Sequence, residues 1–257
     1  MQSSSAILLD QQHVDGWASI TIGSAALASA QPGQFVALRC ALPGSYDPLL
    51  RQPLFVVRSD PAAKTIACLV AHTDPAYTFL THQPRGAQLD LLGPLGKGWN
   101  IPASVRSIAL VGVAAQAAPL FALAHHAVAR GAAVSMILGA RDRSDAPSPT
   151  LLPAAAEYNI AQSFADASAA IALLDDQLLR WADLVAVALP PAHWQPVARR
   201  VDQVRIRWSR EFAQVAIEPA FACSIGICGV CGVETRHGQR LGCVDGPVFD
   251  LRDLIRV

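Results

Sequence analysis

Four cysteines fall within 21 residues towards the end of this 257-residue sequence: Cys223, Cys228, Cys231 and Cys243. Four residues separate the first pair, two the next, and eleven precede the last. Thiolates at such spacing are metal ligands. The x4/x2 pattern is the plant-type arrangement for a [2Fe–2S] cluster, whose two irons take four terminal sulfur ligands. Three ligands on so short a segment need a backbone that curls tightly, and Gly226, Gly229 and Gly232 supply that freedom. A structural zinc site usually repeats the two-residue spacing, which occurs once here. Zinc and plain free thiols are the alternatives that spacing alone leaves open. Cys40 and Cys68 lie in apolar, strand-like runs and read as core.

The rest of the chain must position these thiols. Residues are 52% apolar and only 16% charged, which excludes a disordered chain. Twenty basic and twenty acidic side chains cancel, so nothing resembles a nucleic-acid footprint. Two long uncharged stretches, residues 16–38 and 107–129, are interrupted by polar residues and proline, and neither reads as a membrane span. The start, Met1-Gln2-Ser3-Ser4-Ser5, lacks the basic region of a signal peptide, and the expected compartment is the cytoplasm.

Residues 1–100 read as a small antiparallel β-barrel. Short runs at 17–22, 34–39, 54–58 and 66–70 are separated by turn formers at Pro32-Gly33, Pro43-Gly44 and Asp60-Pro61. The Gly/Pro-rich segment Gly93-Pro94-Leu95-Gly96-Lys97-Gly98 is the expected boundary. Residues 101–217 read as an α/β domain with a parallel sheet. Apolar strands at 107–112, 133–139 and 184–189 accompany an Ala-rich helix at about 117–130. Residues 218–257 form a third piece, too small for its own core and dependent on a metal centre for stability.

The run from Glu218 to Cys231, closing with Cys243-Val244-Asp245-Gly246-Pro247-Val248-Phe249, resembles the electron-transfer subunits of type B dihydroorotate dehydrogenase, within the ferredoxin-reductase superfamily. Pro32-Gly33-Gln34-Phe35-Val36, Asp47-Pro48-Leu49-Leu50-Arg51 and Leu92-Gly93-Pro94-Leu95-Gly96-Lys97-Gly98 agree with it. The resemblance implies a barrel that holds FAD, an α/β domain for a nicotinamide nucleotide, and a [2Fe–2S] arm. Its flavin site corresponds to Arg51, Gln52, Pro53, Leu54 and Phe55, with Ala76 and Tyr77 where the family has Gly-Thr. It further implies a hetero-oligomer with a catalytic oxidoreductase subunit, by family default an FMN-containing dihydroorotate dehydrogenase of pyrimidine biosynthesis. A hydrogenase-like or sulfur-reducing assembly would use the same module.

The sequence departs from that pattern at its nucleotide sites. Gln52 stands where an arginine would pair with the FAD pyrophosphate, and Phe55 replaces a hydroxyl. The Gly-rich loop after the first α/β strand is Gly112-Val113-Ala114-Ala115-Gln116-Ala117-Ala118-Pro119, and a late Cys-Gly-Pro is Leu189-Pro190-Pro191. Binding of NAD is therefore expected to be weak or absent. A non-enzymatic scaffold that carries a cluster and has lost both nucleotides is the competing reading. No residue is expected to act as a catalytic acid, base or nucleophile.

Overall fold

The computed structural model describes residues 3–41, 44–163, 166–218 and 220–255. Met1, Gln2, Pro43 and Pro219, which enter the sequence reading, lie outside them. The N-terminal part is a closed barrel of β1 (Ser3–Val14), β2 (Trp17–Gly23), β3 (Phe35–Leu38), β4 (Gln52–Asp60) and β5 (Thr65–Ala71), with α1 (Pro75–Thr81) leading into β6 (Gln88–Leu95). The strand order is β1-β2-β5-β4-β3-β6, antiparallel throughout. Alternation sets the barrel's faces. Ile20 and Ile22 of β2, Leu54 and Val56 of β4, and Cys68 and Val70 of β5 fill the inside. Burial there pushes both the Cys40 and Cys68 thiols up to about 12, so these cysteines are inert core residues.

The central part holds β7 (Ser107–Val113), α2 (Ala118–Ala129), β8 (Ala133–Ala140), β9 (Ala156–Gln162), α3 (Asp166–Ala172), α4 (Asp176–Trp181), β10 (Leu184–Ala188), α5 (Trp194–Val204) and β11 (Ala213–Ala216). After β11 come a hairpin of β12 (Gly232–Thr235) and β13 (Gly238–Leu241), then β14 (Val248–Asp250) and α6 (Leu251–Leu254). The central sheet runs β14-β11-β10-β7-β8-β9, parallel except for β14. Every residue of β7 and β10 is buried, as strands covered on both faces require. Ile108, Leu110, Met136 and Leu138 face α2, whereas Ala109, Val111, Val185 and Val187 face the other helices. Most of α2 is itself buried, because it lies between the sheet and the barrel.

The segment expected as a boundary does more than separate domains. Gly93, Pro94 and Leu95 finish β6; Gly96 and Lys97 then dock on the C-terminal arm, and Gly98 lies against Pro32. Lys97 N–H donates to the Gly246 carbonyl, and Val248 N–H donates to the Lys97 carbonyl at 3.4 Å. Gln34 Nε2 donates to the Gly96 carbonyl at 2.8 Å, and Trp99 N–H to the Pro32 carbonyl at 2.9 Å. Three stretches that carry the family resemblance therefore meet in one backbone clamp.

Gly96 has φ of +73°, and a Cβ there would lie 2.4 Å from the Gly246 carbonyl oxygen. Gly96→Ala combines left-handed strain with this clash, for an expected loss of about 1–3 kcal/mol. Urea unfolding should show the loss, and the variant should retain less iron than wild type when the two are isolated side by side.

Candidate metal centre and adjoining cavity

The cysteine loop folds as its glycines suggest. Gly226 and Gly229 have φ of +82° and +71°, and Ser224 joins them at +60°. Ser224 is buried and donates its hydroxyl to the Phe221 carbonyl at 3.2 Å, which holds it in that conformation. A Cβ on Gly226 would meet Val244 at 2.7 Å, so the loop lies directly against the turn after β13 that carries the fourth cysteine. Phe221 anchors the arm by stacking on Phe35 of β3, with ring centroids 4.4 Å apart.

The four thiols come together as two pairs. Cys231 and Cys243 are buried, with their sulfurs 3.3 Å apart. Cys228 is exposed, and its N–H points at the Cys223 sulfur at 3.5 Å. Among the described residues, no three histidine, cysteine or acidic side chains surround a single point as one metal ion would require. Two thiol pairs match a centre with two irons, each taking two thiolates, better than a single zinc. The N–H of Ile225, and then that of Cys228, lowers the Cys223 thiol to about 6, so it stands ready as a thiolate. Burial, and then the neighbouring Cys231, holds Cys243 up at about 12. Among free thiols Cys243 would keep its proton, and a bound cation removes that preference.

A cavity of about 250 Å³ opens nearby, between the barrel and the central domain. Trp17, Pro53, Phe55 and Leu69 form an apolar wall, and among the described residues that line it Asp74 and Glu218 are the carboxyl groups. Of the residues expected to hold flavin, Pro53 and Phe55 line this cavity. Leu54, one step along the strand, points into the barrel core. Gln52 donates to the Leu50 carbonyl at 3.2 Å. Ala76 is buried beneath α1, and Tyr77 places its ring edge-on to His13 of β1. Arg51 is engaged elsewhere: it grips the Asp90 carboxylate with two bonds of 2.8 Å and also donates to the Ala37 and Asp90 carbonyls. The apolar wall fits a flat flavin ring, but Arg51 is spent and Gln52 is neutral, so neither offers the expected charge to a pyrophosphate. A larger groove of about 760 Å³ runs between β4 and α2 past His125 and His126 and holds no thiol.

Sequence reasoning passed over Asp74 and Glu218. Asp74 caps α1, accepting from Ala76 N–H at 2.7 Å. Glu218 follows the last strand before the cysteine loop, and its side chain reaches the cavity. Glu218 is exposed to solvent; where it meets the cavity, loss of water and then the Asp74 charge raise its carboxyl above the usual carboxylate range. The only hint in the sequence is the position of Glu218 at the head of the cysteine run.

The chain shares its fold with a chain of the NADH-dependent reduced ferredoxin-NADP oxidoreductase, with a TM-score of 0.76 over 99% of this chain and 91% of that one, at 20% identity. The fold is thus ferredoxin-reductase-like, and the paired thiols on it define an iron–sulfur electron-transfer protein. The iron–sulfur cluster binding domain of dihydroorotate dehydrogenase B matches residues 218–255. Similarity extends well beyond that arm. A probable dihydroorotate dehydrogenase B (NAD(+)) electron transfer subunit from Methanothermobacter thermautotrophicus is 30% identical over 88% of this chain and 80% of its own. The Shouchella clausii subunit is 25% identical over 94% and 93%. The chain belongs to the family of dihydroorotate dehydrogenase B electron transfer subunits, and membership implies a catalytic partner subunit. No helix among the described residues is long and apolar enough to cross a membrane.

Folding raises the Glu218 carboxyl from 4.5 towards about 8, an upper bound because the residue is exposed to solvent. Between those values the native state holds a proton that the unfolded chain has released, so stability falls as pH rises. Glu218→Gln removes this dependence. Melting temperatures from pH 5 to 9 should therefore fall more steeply for wild type than for the variant.

Proposed function

We propose that this chain is the electron relay of a hetero-oligomeric oxidoreductase. It holds a [2Fe–2S] cluster on Cys223, Cys228, Cys231 and Cys243, and FAD with its ring against Pro53 and Phe55. The partner is a dihydroorotate-oxidising subunit with its own FMN, in pyrimidine biosynthesis. On this reading residues 1–100 are the FAD-binding-type barrel, 101–217 a nucleotide-binding-like α/β domain, and 218–257 the cluster module. The reading also puts the protein in the cytoplasm, where its six free thiols stay reduced. The observation that carries it is the pairing of the four thiols on an arm packed against the barrel.

The chemistry FAD supplies when bound is exchange between an electron pair and the single electrons that a [2Fe–2S] cluster carries. The chain's own residues fix where that exchange can occur. Phe55 packs on Phe35 with centroids 6.2 Å apart, and Phe35 stacks on Phe221, so packed aromatic rings set the separation of cavity and cluster loop. Around the exposed Cys228, Ile227 is 79% exposed, Val230 55% and Val244 46%. An apolar rim of this kind excludes water when a partner docks and brings the cluster edge to its surface.

The engagement of Arg51 with Asp90 favours one alternative, a scaffold subunit that keeps the cluster without FAD. A single preparation separates the two. Anaerobically purified protein should contain about two irons and two acid-labile sulfides per chain. Flavin released by acid precipitation supports the relay, and iron without flavin supports the scaffold. Zinc, or no metal, contradicts both. Cys228→Ser should lose most of the iron and loosen residues from about 220 onward, because ligation and folding are coupled there. Hydrogen exchange would report that loosening.

A further inference from the structure

In an open α/β sheet, a dinucleotide binds at the carboxyl ends of the strands, with its pyrophosphate on a helix N-terminus. The relatives of this chain carry NAD(+) in their names. None of the three places here that would receive such a ligand offers it a phosphate cradle.

The first is the turn from β7 into α2. Ala114, Ala115 and Gln116 form a tight 3-10 turn, and the backbone from Gly112 to Pro119 contains no left-handed residue. A phosphate-cradling nest of successive N–H groups alternates right- and left-handed residues and cannot form from this backbone. The N–H of Ala117 donates to the Ala114 carbonyl, and those of Leu120 and Phe121 donate to the Ala117 carbonyl. Pro119 has no N–H to offer. Ala114, Ala117 and Ala118 are buried and only Ala115 of this turn is exposed, so methyl groups rather than N–H groups face the adjoining cavities. The one glycine, Gly112, is used in packing: a Cβ there would meet Leu120 at 2.7 Å and the Ala188 carbonyl at 2.9 Å.

The second is the crevice of about 330 Å³ at the ends of β7 and β8. Its charged lining is Asp145, Asp166 and Arg141, and Arg141 is paired with Asp145 at 3.3 Å. Asp166 turns its carboxylate onto the N–H of Ala167, at 2.7 Å, at the start of α3. Excess negative charge repels a pyrophosphate that carries two of its own. The third place follows β10. Leu189 is buried there, its carbonyl accepts the Trp194 indole N–H at 2.8 Å, and two prolines come next.

We propose that this crevice does not accept a nicotinamide dinucleotide, and that protein partners at the cluster face are the chain's electron donors and acceptors. The proposal deepens the relay reading but does not depend on whether FAD is bound. Trp17, one of five tryptophans, lines the crevice and the neighbouring cavity, so the fluorescence difference between wild type and Trp17→Phe, read on flavin-free protein, reports occupancy. NADH and NADPH titrated into the purified full-length protein should give no saturable change up to about 1 mM, the upper end of ordinary KM values. Anaerobic NADH should leave the visible absorbance intact, whereas dithionite should bleach the same sample. Saturable quenching, or bleaching by NADH at a rate comparable to dithionite, would overturn the proposal. Loss of iron would instead strike at the relay reading, because Trp17 still answers for the crevice in a cluster-free sample.

Discussion

A forty-residue arm cannot hold four thiols by hydrophobic burial alone, because it has no interior of its own. Here the arm borrows one. Phe221, Cys231, Cys243 and Val248 belong to the same buried cluster as Phe35, Leu95 and Trp99 of the barrel side. What brings them there is close backbone contact. Gly96 lies where a single Cβ would collide with the Gly246 carbonyl, and Lys97 bonds the arm in both directions. Ile217 N–H closes the far side on the Pro247 carbonyl at 2.9 Å. With the backbone fixed on both sides of Cys243, the curled loop of Cys223 to Cys231 has a rigid partner to fold against.

This clamp explains why the architecture is readable in one dimension. Glycines pressed against backbone are the hardest to replace, and Gly96 and Gly98 meet the Gly246 and Pro32 carbonyls, while Gly33 and Gly246 lie under the side chains of Trp99 and Phe249, so the clamp leaves marks however far apart these lie in the chain. The buried strands β7, β8 and β10 are equally plain, as continuous apolar runs. β9 is not, because the edge strand Ala156-Glu157-Tyr158-Asn159-Ile160 alternates with charged and polar residues. β1 was hidden for a similar reason: Asp10, Gln11, Gln12 and His13 form a strand through their pairing with β2. β14 is three residues long and exists only because β11 presents a free edge.

The flavin cavity was the least legible part, and the reason is electrostatic. A sequence displays an arginine but not its partner. Arg51 and Asp90 are 39 positions apart, and only closure of the barrel brings them to 2.8 Å. Arg51 is more committed than an exposed lysine would be, because Nη2 meets both Asp90 oxygens while Nη1 donates to the Ala37 and Asp90 carbonyls. Asp74 and Glu218 show the converse. Nothing local marks either one, yet the fold turns both towards one apolar space, and the field of one raises the proton affinity of the other.

The layout also accounts for how one end of such a molecule can change while the other stays. The clamp uses residues 32–34, 96–99 and 242–248, with β11 behind them. The crevice uses the ends of β7 and β8 and the starts of α2 and α3. These two sets have no residue in common. Filling a glycine-rich turn with alanine buries extra methyl groups between α2 and the barrel, which stabilises the interface while it removes the phosphate cradle. Such a change leaves the backbone bonds of the clamp in place, and Trp99 ties the two regions by donating its indole N–H to the Pro119 carbonyl at 3.0 Å. The cluster arm can therefore keep its backbone clamp and its packing on Phe35 and Trp99, whether or not the parallel sheet still receives a nucleotide.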